Sequence, residues 1–162
     1  MCLSTTKELE WNMESNGTTL NAISINAPRT QAAVGFKDRT VVGVSLSDVE
    51  IRDVKPLFTA TYVTSLDDLP IANSKSMLIT TIARARNTDQ KLIGGTLINR
   101  GTGPILMEPV ICELEFRRAG TPTVHVLDHD GRRTGKTLPV ENGRVKLDGR
   151  ETKTVYYEVS YE

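Results

Sequence analysis

Aromatic side chains make up only 5% of this 162-residue chain, cysteine and histidine occur twice each, and neither sign of charge is in surplus. Each shortage excludes something. So few aromatics, most of them needed in a core, tell against a flat aromatic strip for a crystalline polysaccharide. Twenty Lys and Arg balance twenty Asp and Glu, so there is no basic surplus to neutralise phosphates, and no nucleic acid is expected as a partner. The same balance gives no electrostatic reason to sit on an acidic membrane, and no membrane is expected. No window approaches the ~18 apolar residues of a spanning helix. Residues 1–10, MCLSTTKELE, lack the apolar stretch of a secretory signal. Either the protein is intracellular, or this chain is one domain of a longer secreted one. The sequence also lacks a Gly-x-Ser-x-Gly elbow, a phosphate loop and a Cys/His nucleophile pairing. Cys2 lies in a segment, 1–8, expected to fray, and Cys112 sits in an alternating apolar run as a small core residue. A Cys2–Cys112 disulfide stays open on these grounds, so cysteine does not fix the compartment.

What is present is strand. Ser76–Asn87, SMLITTIARARN, contains no Gly or Pro and is rich in residues stiff at χ1. Its apolar run lacks clean alternation, which predicts a central strand buried on both faces with a polar end at a rim. Before it, strands are predicted over Leu9–Met13, Thr18–Ile25 (after a hairpin at Asn16-Gly17), Arg29–Phe36, Thr40–Val44 (after a turn at Lys37-Asp38), Leu46–Arg52 and Leu57–Leu66. After it comes an irregular stretch, Thr88–Pro104, with a small hairpin expected at Gly94-Gly95. Val110, Cys112, Leu114 and Phe116 alternate with Ile111, Glu113, Glu115 and Arg117, the pattern of a half-buried antiparallel strand. Thr121–Leu127 pairs with its successor through Asp128–Gly135. Asn142-Gly143 and Asp148-Gly149 punctuate two more strands. Thr154–Tyr161 closes the chain with Val155, Tyr157, Val159 and Tyr161 on one face. With about ten to twelve strands and turns every ~8–12 residues, the chain is expected to form a single all-β domain over 1–162: a two-sheet antiparallel β-sandwich, jelly-roll-like.

Candidate chemistry is sparse. Asp128-x-Asp130-Gly131 opens like a calcium loop, but position twelve would be Pro139 where an EF-hand needs Glu. Asp67-Asp68 could hold calcium with a backbone carbonyl. The competing explanation for both is a solvated turn. His125 and His129 would lie ~13 Å apart along a strand, too far to share one metal. Glu113 and Glu115 could pair as carboxylates for glycoside hydrolysis, yet they fall where a strand's polar face belongs, and no catalysis is expected. The more informative feature is polar residues within strand-like runs: Arg29 and Gln31 before one apolar segment, Arg84 and Asn87 at the end of another. They could be a rim network. Alternatively, their planar donors and acceptors suit sugar hydroxyls, with Trp11, Tyr62 or Tyr156 stacking on a ring.

The segments APRTQAAVGF (27–36), SLSDVEI (45–51), TYVTSLDDLPIANSKSMLITTIARARNTD (61–89), GPILMEPV (103–110), TVHVLDHDGRRTGKTLPV (123–140) and TVYYEV (154–159), in this order, resemble the C-terminal accessory β-sandwich domain of large bacterial glycoside hydrolases. The joint occurrence of ARARNT, GPILMEPV and VLDHDGRRTG carries the resemblance, which spans Trp11 to Tyr161. It implies an extracellular, non-catalytic carbohydrate-binding module that targets a linked hydrolase domain to a plant-type polysaccharide of the soluble glucan, xylan or mannan class. Its contacts would be Trp11, Arg29, Gln31, Tyr62, Arg84 and Asn87. The alternative is a structural sandwich that packs against a catalytic domain without binding sugar, which predicts an exposed apolar patch. One departure is that TDQKLIGGTLINRGTG (88–103) holds no aromatic where a sugar-contacting loop would carry one.

Overall fold

Residues 2–12, 22–36 and 43–162 are described by a computed structural model. The expected turns at Asn16-Gly17 and Lys37-Asp38 lie outside these residues. The first elements are β1 (Cys2–Leu3), β2 (Leu9–Asn12), β3 (Ala22–Asn26), β4 (Thr30–Phe36), β5 (Gly43–Ser45), β6 (Val49–Lys55), β7 (Phe58–Ser65) and β8 (Ser76–Ile82). Next come β9 (Ala85–Thr88), β10 (Lys91–Ile93), β11 (Thr96–Asn99), β12 (Thr102–Met107), β13 (Ile111–Phe116), β14 (Thr123–Leu127), β15 (Arg133–Leu138), β16 (Val140–Glu141) and β17 (Arg144–Asp148). A single turn of helix, α1 (Gly149–Thr152), precedes β18 (Tyr156–Ser160).

The strands build a nine-stranded sheet, β1-β2-β3-β4-β7-β8-β18-β14-β15, and a five-stranded sheet, β16-β17-β13-β6-β5. All their pairings are antiparallel. The chain crosses repeatedly between the two, so that β18 lies between β8 and β14, and β13 between β17 and β6. The result is an all-β sandwich. Its core is filled from the larger sheet by Val63, Met77, Ile79, Val124, Val126, Tyr157 and Val159, and from the smaller by Val49, Ile51, Cys112, Leu114, Val145 and Leu147. Alternate residues point inward along each strand, which is why β13 reads so clearly in the sequence.

Two expectations need correction. Ser76–Asn87 is not one strand buried on both faces. β8 ends at Ile82, and along it Met77, Ile79 and Thr81 are buried while Ser76, Leu78 and Thr80 are half-buried and Ile82 is exposed. The five-stranded sheet covers only one face, and the absent alternation reflects apolar residues on both faces. Nor is Leu46–Arg52 one strand. The Val49 carbonyl accepts from the Leu46 N–H at 2.9 Å, closing a turn through Ser47-Asp48 between β5 and β6. Asp148, expected in a simple turn, caps α1: its Oδ1 accepts from the Arg150 N–H at 3.0 Å.

Both cysteines are free, Cys2 exposed and Cys112 buried. Burial pushes the Cys112 thiol up to about 12, so it acts as a core residue rather than a nucleophile.

Candidate binding surface

The two sheets turn very different outer faces to their surroundings. On the five-stranded sheet, β6 and β13 carry Glu50, Arg52, Glu113 and Glu115 outward, and β17 adds Arg144. Arg52 donates to Glu50 at 2.7 Å and lies 3.3 Å from Glu115, Arg144 pairs with Glu115 at 3.0 Å, and Arg117 reaches Glu50 at 2.9 Å. Glu115 is thus shared between two arginines, and Glu113 faces Arg52 and Lys146 in register. This is an interlocked charged surface, not a carboxylate pair flanking a cleft. Hydrogen bonds from Arg52 and Arg117 hold Glu50 down at about 2, against an ordinary value of 4.5. A carboxylate depressed on folding contributes stability above its unfolded value and loses it as pH falls through the folded value. Glu50→Gln is therefore expected to lower the urea midpoint at neutral pH, with the difference from wild type closing between about pH 4.5 and 2. Denaturation curves across that range check it.

Across β2, β3, β4, β7 and β8 the outer face of the nine-stranded sheet is largely apolar, with Ala32 and Ala60 themselves buried, whereas β18, β14 and β15 turn Glu158, His125 and Arg133 outward. Strand register places Trp11, Ile23, Val34, Ala60 and Ile82 in one row across five strands. A second row runs Leu9, Ile25, Ala32, Tyr62, Thr80 and Tyr156 across six. Six strands ~4.8 Å apart make this band ~24 Å wide. Phe36 and Phe58 pair opposite one another beside it, ring centroids 5.0 Å apart. Trp11 is 49% exposed, and Leu9, Ile23, Phe36 and Ile82 are exposed with it. At the margin, Glu158 and Arg133 form a two-pronged ion pair at 2.6 and 2.7 Å.

The register brings Trp11, Tyr62 and Tyr156 to this one face. It does not bring the polar candidates to them. Gln31 is 1% exposed and points to the opposite side, into the sandwich. Its Oε1 accepts from the N–H groups of Asp48 and Val49 at 3.0 Å each, and its Nε2 donates to Asp48 at 2.6 Å. Arg29 pairs with Asp68. Arg84 clamps Glu108 through two bonds of 2.8 and 3.0 Å. Asn87 donates to the Arg100 carbonyl at 2.9 Å. Each is engaged within the chain, Gln31 between the sheets and Asn87 on the ribbon formed by β9 and β12.

The acidic candidates organise loops. Asp67 accepts from the Ser65 hydroxyl at 2.9 Å and the Lys75 N–H at 2.6 Å. Hydrogen bonds from Ser74, Lys75 and Ser65 hold it well below the usual carboxylate range. Asp68 turns away to Arg29. Asp128 accepts from the N–H groups of Asp130 and Arg132 at 2.9 and 2.8 Å, and Asp130 pairs with Arg132 at 3.2 Å, closing the β14–β15 hairpin. Among the described residues, no group of three or more His, Cys, Asp or Glu side chains is placed to hold a metal ion. His125 lies 3.3 Å from the Ser160 hydroxyl on the outer face, and His129 falls in the hairpin turn.

The sequence reading missed one feature. β9 pairs with β12, and β10 with β11, so Ala85–Met107 forms a projecting two-stranded arm rather than an irregular loop. Gly94-Gly95 marked its tip. Nothing in the sequence marked the pairing of ARNT with TGPILM, which skips residues between Thr102 and Ile105.

Comparison with protein-family models, curated proteins and solved structures finds no match.

Proposed function

We propose that this chain is a non-catalytic β-sandwich module that packs the outer face of its nine-stranded sheet against a catalytic domain and stabilises it. The observation that carries this is the apolar band through Trp11, Ile23, Val34, Ala60 and Ile82. An open sheet normally turns polar residues to water, and a contiguous apolar patch of this extent marks an interaction surface. The matching surface is flat, apolar and uncharged, because the band offers no free charge to pair. The resemblance to accessory domains of glycoside hydrolases supplies the class of the catalytic partner.

A second reading, a carbohydrate-binding module, is favoured by the same register, which sets Trp11, Tyr62 and Tyr156 on one face for ring stacking. The partners that sugar hydroxyls need weigh against it, since Arg84, Asn87 and Gln31 are committed elsewhere.

Trp11 is the only tryptophan and reports on both readings. Its emission is expected to be that of a water-exposed indole in the isolated chain and to shift to the blue when a glycoside hydrolase domain is joined to it, together with a rise in that domain's melting temperature. Affinity gel electrophoresis against soluble xylans, mannans and glucans is expected to show no retardation. Retardation by one polysaccharide, lost in Trp11→Ala, would move the assignment to sugar binding. A hydrolase domain whose melting temperature ignores the module would sink the packing reading.

A further inference from the structure

The Ala85–Met107 arm has a chemistry of its own. Its base is fixed by the Arg84–Glu108 clamp and by the Thr88 hydroxyl, which donates to the Pro104 carbonyl at 2.7 Å. A Cβ on Gly101, whose φ is +71°, would collide with the Thr88 carbonyl, so the chain approaches β9 closely there. The arm is a built element, and its tip is aliphatic. Leu92, Ile93, Leu97 and Ile98 are all exposed around the Gly94-Gly95 turn. Leu92 faces Leu97, while Ile93 faces Thr96. Successive residues of a strand point to opposite faces, so the tip is apolar on both sides. A groove on a folded protein covers one side of a ribbon; an apolar medium surrounds both.

Charge is placed to match. Lys91 lies on β10 before the tip and Arg100 directly after β11, Arg86 lies further down on β9, and Asp89 is the single acid within Ala85–Met107. The chain as a whole is neutral, yet the arm concentrates three cations against one anion. From Lys91 to Gly94 is three residues, ~10 Å at ~3.4 Å each. Interfacial segments bury their apolar side ~5–10 Å into the boundary between headgroups and acyl chains. Lys91 and Arg100 would thus stand among lipid headgroups when the tip reaches that boundary, with Arg86, eight residues from Gly94, held back from it. The open backbone edges of a two-stranded ribbon forbid deeper entry. No helix among the described residues is long and apolar enough to cross a membrane, and the contact inferred here is with a surface.

We propose that the arm is a membrane-surface anchor that places Leu92, Ile93, Leu97 and Ile98 in the interface of an anionic bilayer. This is independent of what covers the nine-stranded sheet. The test is co-sedimentation of the full chain with vesicles of phosphatidylcholine alone and of phosphatidylcholine mixed with phosphatidylserine. Wild type is expected to sediment with the mixed vesicles at low salt and to be released as salt rises. Leu92→Ser/Leu97→Ser should weaken binding at least about tenfold, with an unchanged circular dichroism spectrum. Lys91→Gln/Arg100→Gln should abolish the preference for phosphatidylserine. Ile82→Ser, on the sheet face, should bind as wild type does. Wild type remaining in the supernatant with both vesicles overturns the proposal. So does binding that survives Leu92→Ser/Leu97→Ser or is lost in Ile82→Ser.

Discussion

Ile79→Ala is expected to lower the unfolding free energy by about 2–5 kcal/mol, while Ile82→Ala, three residues along the same strand, should change it by no more than about 0.5–1 kcal/mol. Ile79 is fully buried between the sheets, opposite Val63 on β7 and Tyr157 on β18. Truncation removes its transfer energy and leaves a cavity that the neighbouring strands, hydrogen-bonded on both sides, cannot close. Ile82 is 37% exposed on the outer face, opposite Ala60. Its loss opens no cavity. Urea denaturation of the two variants side by side decides the matter. Equal costs would mean that the outer face is as well covered as the core, and the apolar band would not be a surface at all.

The same strand explains what could be read from the sequence and what could not. Alternation was legible wherever the outer face is charged. β13, with Glu113 and Glu115 between Cys112, Leu114 and Phe116, declared both its strand and its buried side. β8 declared only the strand. Leu78, Thr80 and Ile82 are as apolar or β-branched as their inward neighbours, and a sequence pattern cannot separate a face buried in the core from a face that is merely apolar. The surface feature on which the proposed packing role rests therefore looked like core. The β5–β6 hairpin failed differently: Ser47-Asp48 is a turn signal, but flanked by Leu46 and Val49 it reads as part of a strand. The polar candidates could be found as polar residues in strand-like positions. Their partners could not, because Gln31 and Asp48, or Arg84 and Glu108, meet only after the sheets have folded together.

Gln31 carries the second large effect. Gln31→Ala is expected to cost about 2–4 kcal/mol, an unusual loss for an amide side chain. The residue ties β4 of the larger sheet to the turn that begins β6 of the smaller one. Its removal leaves the Val49 N–H, in a fully buried residue, without an acceptor. Gln31→Glu separates hydrogen bonding from volume. The shape is kept, but a carboxylate would lie where the amide donates to Asp48 at 2.6 Å. Repulsion between the two carboxylates raises the introduced group's pKa on folding, so this variant's deficit should be largest at neutral pH and shrink as the solution is acidified toward the carboxylate range. A pure packing role would give a deficit that does not move with pH. If instead either variant kept full stability and lost retention on a soluble polysaccharide, Gln31 would belong to a sugar site that opens between the sheets.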